Sequence, residues 1–165
     1  MLPHVQGRVL EVGCGTGLLL ERLSCRGDAV GVDVSSGMLK RACKRPGQKG
    51  AGNLVLADAQ RLPFKDRSFD SAVSAFALTA MPDLDAALAE MIRVVRDGGT
   101  VVVVSVGDPE SSSHLTRMAT AAWRAAGDII RDEAAALRNL GLRPSRRDFG
   151  PFGSIHLLVA VKSSD

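Results

Sequence analysis

Two kinds of apolar pattern alternate along the chain. Short runs of β-branched and aliphatic residues occur at Arg8–Val12, Ala29–Val34, Asn53–Ala57, Ser68–Ala75 and Thr100–Val106. The last is unbroken and β-branched, as in a central strand buried on both faces. Between these runs the apolar residues take a helical period. Leu18–Cys25 reads as a helix closed by Gly27. Ser36–Arg45 reads as a second, with Ser35 as N-cap and a stop before Pro46-Gly47. Asp83–Arg96 reads as a third, with Leu84, Ala87, Leu88, Met91, Val94 and Val95 on its apolar face. A long helical pattern covers 116–140, broken near Gly127 and ended by Gly141 and Pro144. Two last strands, Pro144–Phe149 and Ile155–Val161, flank Gly150-Pro151-Phe152-Gly153, so a hairpin makes the final strand antiparallel. The polar stretches Gly47–Gly52, Asp58–Asp66, Asp97–Gly99 and Asp108–His114 read as loops.

Strand and helix signals that alternate from end to end predict an α/β fold around a mostly parallel sheet. No internal repeat or low-complexity segment interrupts them, and one domain over residues 1–165 is expected. A chain of 165 residues with 45% hydrophobic content buries roughly 70% of its unfolded surface, enough for one core without staples.

The first strand, turn and helix carry the most chemistry. The run Arg8-Val-Leu-Glu-Val-Gly-Cys-Gly-Thr-Gly17 ends a strand in an acid, Glu11, and then alternates glycines at 13, 15 and 17. Glycines here let a backbone approach a ligand that a Cβ would block. Strand, glycine turn and helix make a nucleotide-binding crossover. The dinucleotide spacing G-x-G-x-x-G requires a third glycine where this chain has Leu18, which argues against a pyrophosphate. A carboxylate at the strand end suits a ligand with a positive group, and S-adenosylmethionine carries an ammonium and a sulfonium.

Charge and composition narrow the field further. Net charge is +3. Lys40, Arg41, Lys44, Arg45 and Lys49 form one basic group, and Arg143, Arg146 and Arg147 another. Both read as solvated faces, because aromatics are 4% and Tyr is absent, unlike a nucleic-acid footprint. The three cysteines, Cys14, Cys25 and Cys43, contain no C-x-x-C pair. That pattern predicts neither a disulfide framework nor a zinc site, and fits a reduced cytoplasmic compartment. No apolar run approaches the roughly 18–20 residues of a membrane span, and no signal-peptide pattern opens the chain.

Four motifs in order then carry a resemblance: Glu11-Val-Gly-Cys-Gly-Thr-Gly17, Gly31-Val-Asp-Val-Ser-Ser-Gly-Met-Leu39, Ala57-Asp-Ala-Gln-Arg-Leu-Pro-Phe64 with Ser68-Phe-Asp70, and Arg93-Val-Val-Arg-Asp-Gly-Gly99. With these the chain resembles the class I S-adenosylmethionine-dependent methyltransferases, most of all the small-molecule branch of the ubiquinone/menaquinone biosynthesis (type 11) enzymes. The resemblance covers residues 7 to 107 in good register and continues more loosely beyond. It implies a Rossmann-like three-layer sandwich with a seven-stranded sheet of order 3-2-1-4-5-7-6 and an antiparallel strand 7. The implied reaction is in-line methyl transfer to an O, N or C nucleophile of a small molecule or lipid, with S-adenosylhomocysteine as the product.

The resemblance also assigns residues. Gly13, Gly15 and Gly17 shape the turn, and Glu11 lies beneath it and orients it toward the methionine end. Asp33, at the end of strand two, accepts from the ribose hydroxyls. Asp58, at the end of strand three, meets the adenine amino group, and the Ala59 N–H meets a ring nitrogen, with Gln60 beside them. Met38 lies against the base, although it also reads as a core methionine, and Val34 belongs to the same cofactor-binding set. Cys14 sits inside the turn as a small residue packing between loop and helix. The chain from Ser74 to Pro82 holds the methionine ammonium and then faces the acceptor.

Several departures from the family stand out. Many relatives carry a His pair where this chain has Thr79-Ala80, so no catalytic residue is assigned. His114 is a candidate base or an exposed loop His, whereas His4 and His156 read as structural. Neither the Asn/Asp-Pro-Pro-aromatic tetrad of amino-methylating nucleic-acid enzymes nor the Pro-Cys nucleophile of cytosine-C5 enzymes is present. Strand one begins near residue 8, so the N-terminal cap of the family is expected to be largely absent. That leaves an open site, a site closed by a second copy or partner chain, or a trimmed copy. An open site suits a membrane-borne acceptor, as in phospholipid N-methylation. The competing classes are a non-catalytic cofactor-binding or interaction protein with this fold and, on glycine spacing, a nicotinamide-type oxidoreductase.

Overall fold

A computed structural model of the chain describes residues 1–45, 53–106, 131–150 and 153–163. The expected loops at 47–52 and 108–114 with His114, the 116–140 helix up to residue 130 with its break at Gly127, and Pro151-Phe152 lie outside the described residues.

Seven strands form one sheet: β1 (Val9–Val12), β2 (Ala29–Asp33), β3 (Leu54–Leu56), β4 (Phe69–Ala75), β5 (Val95–Val106), β6 (Ser145–Phe149) and β7 (Ile155–Val161). Their order is β3-β2-β1-β4-β5-β7-β6. The pairs from β3 to β5 are parallel, and β7 is antiparallel to both β5 and β6. This is the order and the antiparallel strand that the sequence motifs imply. Among the described residues, four α-helices accompany the sheet: α1 (Leu18–Ser24), α2 (Ser36–Ala42), α3 (Leu84–Val94) and α4 (Glu133–Asn139).

The layers follow from side-chain alternation along the strands. Leu10, Val12, Ala72, Val101 and Val103 face one side, where Leu88 and Met91 of α3 and Leu137 of α4 cover them. Val9, Val73, Val102 and Val104 face the other side, with Leu20 and Leu23 of α1. Each such aliphatic side chain contributes about 1.5–3 kcal/mol on burial. Residues Val101 to Val106 are all buried, as expected of a strand covered on both faces. The helix starts match their caps: Ser35 Oγ accepts from Met38 N at 3.3 Å and Asp83 Oδ1 from Ala86 N at 3.0 Å.

Two helix ends come earlier than the sequence pattern suggests. The apolar period predicts a third helix reaching Arg96, but α3 stops at Val94. Val95 instead pairs with Phe69, opening β5 through an irregularity before Thr100 joins Ser71. Gly98 supplies the left-handed step there (φ 72°), and its N–H donates to Lys162 O at 2.8 Å. The glycine turn is thus built into the strand. Likewise α2 ends at Ala42 rather than Arg45. The Arg45 side chain turns back to Thr16 O (2.7 Å) and Glu21 (3.3 Å), tying the segment after α2 to the glycine turn.

Candidate functional site

In a parallel sheet, ligands bind beyond the carboxyl ends of the strands where the strand order reverses. That edge lies here between β1 and β4, the two neighbours leading away in opposite directions. The turn after β1 occupies it. Gly13, Gly15 and Gly17 have φ of 73°, 53° and 75°, a left-handed backbone that an L side chain rarely adopts. A Cβ on Gly13 would lie 2.2 Å from Ala77 Cβ, so the turn is pressed against the segment after β4. A Cβ on Gly15 would meet nothing within 4 Å. The outer side of the turn is therefore open to an approaching ligand.

Asp33 ends β2 beside this turn. Its Oδ2 accepts from Gly15 N and its Oδ1 from Ser35 N, each at 2.8 Å. Each oxygen keeps further acceptor capacity. Beyond Asp33 a cleft of about 350 Å³ opens. One wall holds Gly13, Val34, Asp58, Ala59 and Gln60, and the other holds Ala77, Ala80, Met81 and Pro82. A wider hollow of about 490 Å³ lies between Pro82–Asp85 and Arg131–Asn139, open to solvent and away from the glycine turn.

Of the residues expected to hold a cofactor, Gly13, Asp33, Val34, Asp58, Ala59 and Gln60 line this one cleft. Met38 is exposed (39%), which removes the core reading for it. Cys14 is buried against β2, where a Cβ on Gly31 would meet its Sγ at 2.9 Å. Burial, with Glu11 and Asp33 nearby, pushes its thiol up to about 12, the opposite of an activated nucleophile. Ser74 is fully buried, and its Oγ has no hydrogen-bond partner.

Glu11 is the most unusual of the set. It is 4% exposed at the end of β1, and its Oε2 is buried without a partner. Burial, and then the nearby Asp33 charge, push its carboxyl up to about 8. A carboxyl held this way gains from a cation placed beside it.

The opposite wall, Ala77 to Pro82, belongs to the Ser74–Pro82 stretch that the sequence reading set beside the cofactor and the acceptor, although none of its residues after Ser74 was singled out. What the sequence reading missed is a clamp behind the cleft. Arg93 of α3 donates to Glu90 Oε1 (2.6 Å), Asp66 Oδ1 (2.6 Å), Phe64 O (2.8 Å) and Leu62 O (3.1 Å). Glu90 Oε2 accepts from Leu62 N at 2.7 Å. The loop after Asp58 is thereby stapled to α3, and Arg93 holds the Glu90 carboxyl below its usual range.

A second polar group is buried where β5, β7 and α4 meet. His156 Nε2 lies 2.7 Å from Ser105 Oγ and 3.2 Å from Glu133 Oε2. A nucleophilic triad needs serine and acid on different ring nitrogens. Here both meet the same nitrogen, while His156 Nδ1 and Glu133 Oε1 have no partner. The cluster anchors α4 to the sheet, consistent with the structural role expected of His156. Among the described residues, no set of three or more His, Cys, Asp or Glu side chains could hold a metal ion.

Comparison with known proteins agrees with this geometry. Residues 10–103 match the family model described as a methyltransferase domain. The phosphatidylethanolamine N-methyltransferase of Cereibacter sphaeroides is 42% identical over 102 residues, which is 60% of this chain and 50% of that protein. The demethylmenaquinone methyltransferase of Roseiflexus castenholzii is 42% identical over 111 residues, 65% of this chain and 46% of that protein. The chain thus spans about half the length of these curated relatives. A likeness of fold extends further. A chain from the complex of the Haloferax volcanii Trm112 methyltransferase activator with a methyltransferase superposes with a TM-score of 0.81 at 18% identity, covering 99% of this chain and 87% of that one. With its glycine turn, two strand-end acids and sheet order in place, the chain belongs to the methyltransferase domain family, of the class I, type 11 kind that its four motifs resemble.

Proposed function

We propose that this chain binds S-adenosylmethionine in the cleft beside the glycine turn and serves methyl transfer to an O, N or C nucleophile of a small molecule or lipid. The observation that carries the reading is a pair of carboxylates, Asp33 and Asp58, at the ends of adjacent strands and facing one cleft. Their chemistry suits the two polar parts of adenosine. Asp33 would accept from the ribose hydroxyls, and Asp58 from the adenine amino group, with the Ala59 N–H beside a ring nitrogen. Val34, which lines the cleft, and the exposed Met38 on the first turn of α2 would cover the base. Gly13, Gly15 and Gly17 would let the backbone close on the methionine tail. Glu11 would face the positive end through its unpartnered Oε2. Cys14 would fill the space under the turn, and the backbone from Ser74 onward would receive the ammonium.

When bound, S-adenosylmethionine supplies a methyl group on a sulfonium, itself a good leaving group for in-line displacement. The protein's share is then to hold the reacting partners in line and exclude water, and positioning of that kind can contribute about 7–11 kcal/mol at its ceiling. No side chain is assigned a catalytic role. The acceptor class follows the relatives, named for phosphatidylethanolamine and demethylmenaquinone. The methyltransferase bound to an activator supports a partner chain, or a second copy, closing the acceptor side. Free Cys14, Cys25 and Cys43 suit a cytoplasmic setting. Among the described residues no helix is long and apolar enough to cross a membrane.

Calorimetry with S-adenosylhomocysteine, S-adenosylmethionine and NAD tests the reading. Micromolar binding of the first two is expected, with none of NAD and a loss on Asp33→Ala. If the intact chain binds neither S-adenosyl ligand, the reading is wrong. Binding without methyl transfer to any of a broad acceptor panel would instead favour a non-catalytic binding protein.

A further inference from the structure

We propose that Gln60 is the positioning residue for base selectivity: it holds the Asp58 carboxylate so that one acceptor position is left for the exocyclic amino group of adenine. The inference rests on the S-adenosyl reading of the cleft and deepens it.

The Gln60 side chain spans the two walls. Its Nε2 donates to Asp58 Oδ1 at 3.1 Å and to Oδ2 at 3.2 Å, and its backbone N donates to Oδ1 at 2.9 Å. Its Oε1 accepts from Asp83 N at 3.2 Å. Asp83 in turn caps α3 directly beyond Met81 and Pro82 of the opposite wall. The orientation of the amide is fixed by these partners, because an ionised carboxylate only accepts and a backbone N–H only donates.

A carboxylate offers about four acceptor positions. On Asp58 three are taken, two on Oδ1 and one on Oδ2. The remaining one, on Oδ2, matches a single N–H. The same bonds, first from the Gln60 backbone and then from its side chain, hold the Asp58 carboxyl below its usual range. Asp58 therefore stays acceptor-only at neutral pH. A 6-amino purine supplies the donor this position needs. A 6-oxo purine turns an oxygen toward the negative carboxylate and is rejected, as sites built for one hydrogen-bonding partner reject its counterpart.

Gln60 has a second effect, joining the walls through Asp83, and the two are separable. Losing the wall contact weakens every ligand alike. Losing control of Asp58 weakens only ligands with an amino group.

The experiment measures affinities of S-adenosylhomocysteine and S-inosylhomocysteine, identical except for a 6-oxo base, on the full chain. The proteins are the unaltered chain, Gln60→Ala, Asp58→Ala and the double variant. Gln60→Met, which keeps the stem and removes only the amide, replaces Gln60→Ala if melting shows that variant unfolded. The unaltered chain is expected to prefer the adenosyl ligand by about 10-fold or more. Gln60→Ala should lose most of that preference, over and above the weakening common to both ligands that follows from loss of the wall contact. In the Asp58→Ala background it should leave the ratio unchanged. Equal weakening of both ligands, a further change in ratio without Asp58, or no preference in the unaltered chain would overturn the inference. If the unaltered chain binds neither ligand, the S-adenosyl reading itself fails and the inference falls with it.

Discussion

Replacing Glu11 with glutamine should stabilise the protein at alkaline pH and change little in acid. The carboxyl is almost wholly buried, and its pKa is pushed from 4.5 to about 8 by desolvation and by Asp33. The folded chain keeps the proton in the interval between these values, while the unfolded chain has lost it. Folding therefore takes up a proton there, and stability falls as pH rises. The full contribution is present below pH 4.5, and it is lost progressively until about pH 8. At 1.36 kcal/mol per unit, the loss between pH 5 and pH 8 is roughly 4 kcal/mol. The side-chain amide of the Glu11→Gln variant has no such proton to lose. Urea unfolding of both proteins at pH 5, 6, 7 and 8 checks this. The difference in unfolding free energy should widen by about 1.2 kcal/mol per pH unit, in favour of the variant, with similar m-values. A constant difference across the series would refute the reasoning, because it would mean that Glu11 is already ionised in the fold.

Other outcomes follow from the same geometry. A cation beside Glu11 favours its ionised form, so S-adenosylhomocysteine binding at pH 7 should release about one proton, read as a buffer-dependent binding enthalpy that Glu11→Gln abolishes. Gly13→Ala should cost about 2–4 kcal/mol of stability, since it adds a clash with Ala77 to a left-handed backbone. Gly15→Ala, with open space around it, should cost only about 1 kcal/mol but weaken S-adenosylhomocysteine, as thermal melting and calorimetry would reveal. Glu133→Ala should lose about 1–3 kcal/mol by removing one of the two partners of the buried His156 Nε2, whereas Glu133→Leu with His156→Phe should recover most of that in denaturant titrations. Arg93→Lys keeps the charge and loses the forked contacts, so the Leu62 amide should exchange its hydrogen faster.

Much of this architecture could be read from the chain because its signals are local. The β-branched run Thr100–Val106, the glycine alternation at 13, 15 and 17, and the caps Ser35 and Asp83 each act within a few residues. The acids at 33 and 58 could be placed because a strand end fixes which sheet edge a residue occupies. What escaped depends on contacts between distant segments. Val95 and Arg96 continue a helical period, yet pairing of Val95 with Phe69 and of Gly98 with Lys162 draws them into β5. The cluster of Ser105, Glu133 and His156 exists only once β7 pairs with β5 in register and α4 covers them. The burial of Glu11 was hidden as well. Sequence marks it as a strand-end acid, while its lack of water follows from the layers stacked over β1.

The two backbone N–H groups already bound to Asp33 have a consequence for any ligand that meets it. Gly15 and Ser35 fix both carboxylate oxygens, so the turn, the end of β2 and the start of α2 are tied together through one side chain. A ligand engaging Asp33 would find the group preorganised and would bear little of the entropy of arranging it. The same wiring makes Asp33 a hinge pin of the fold itself, so its removal should loosen the glycine turn whether or not a ligand is bound.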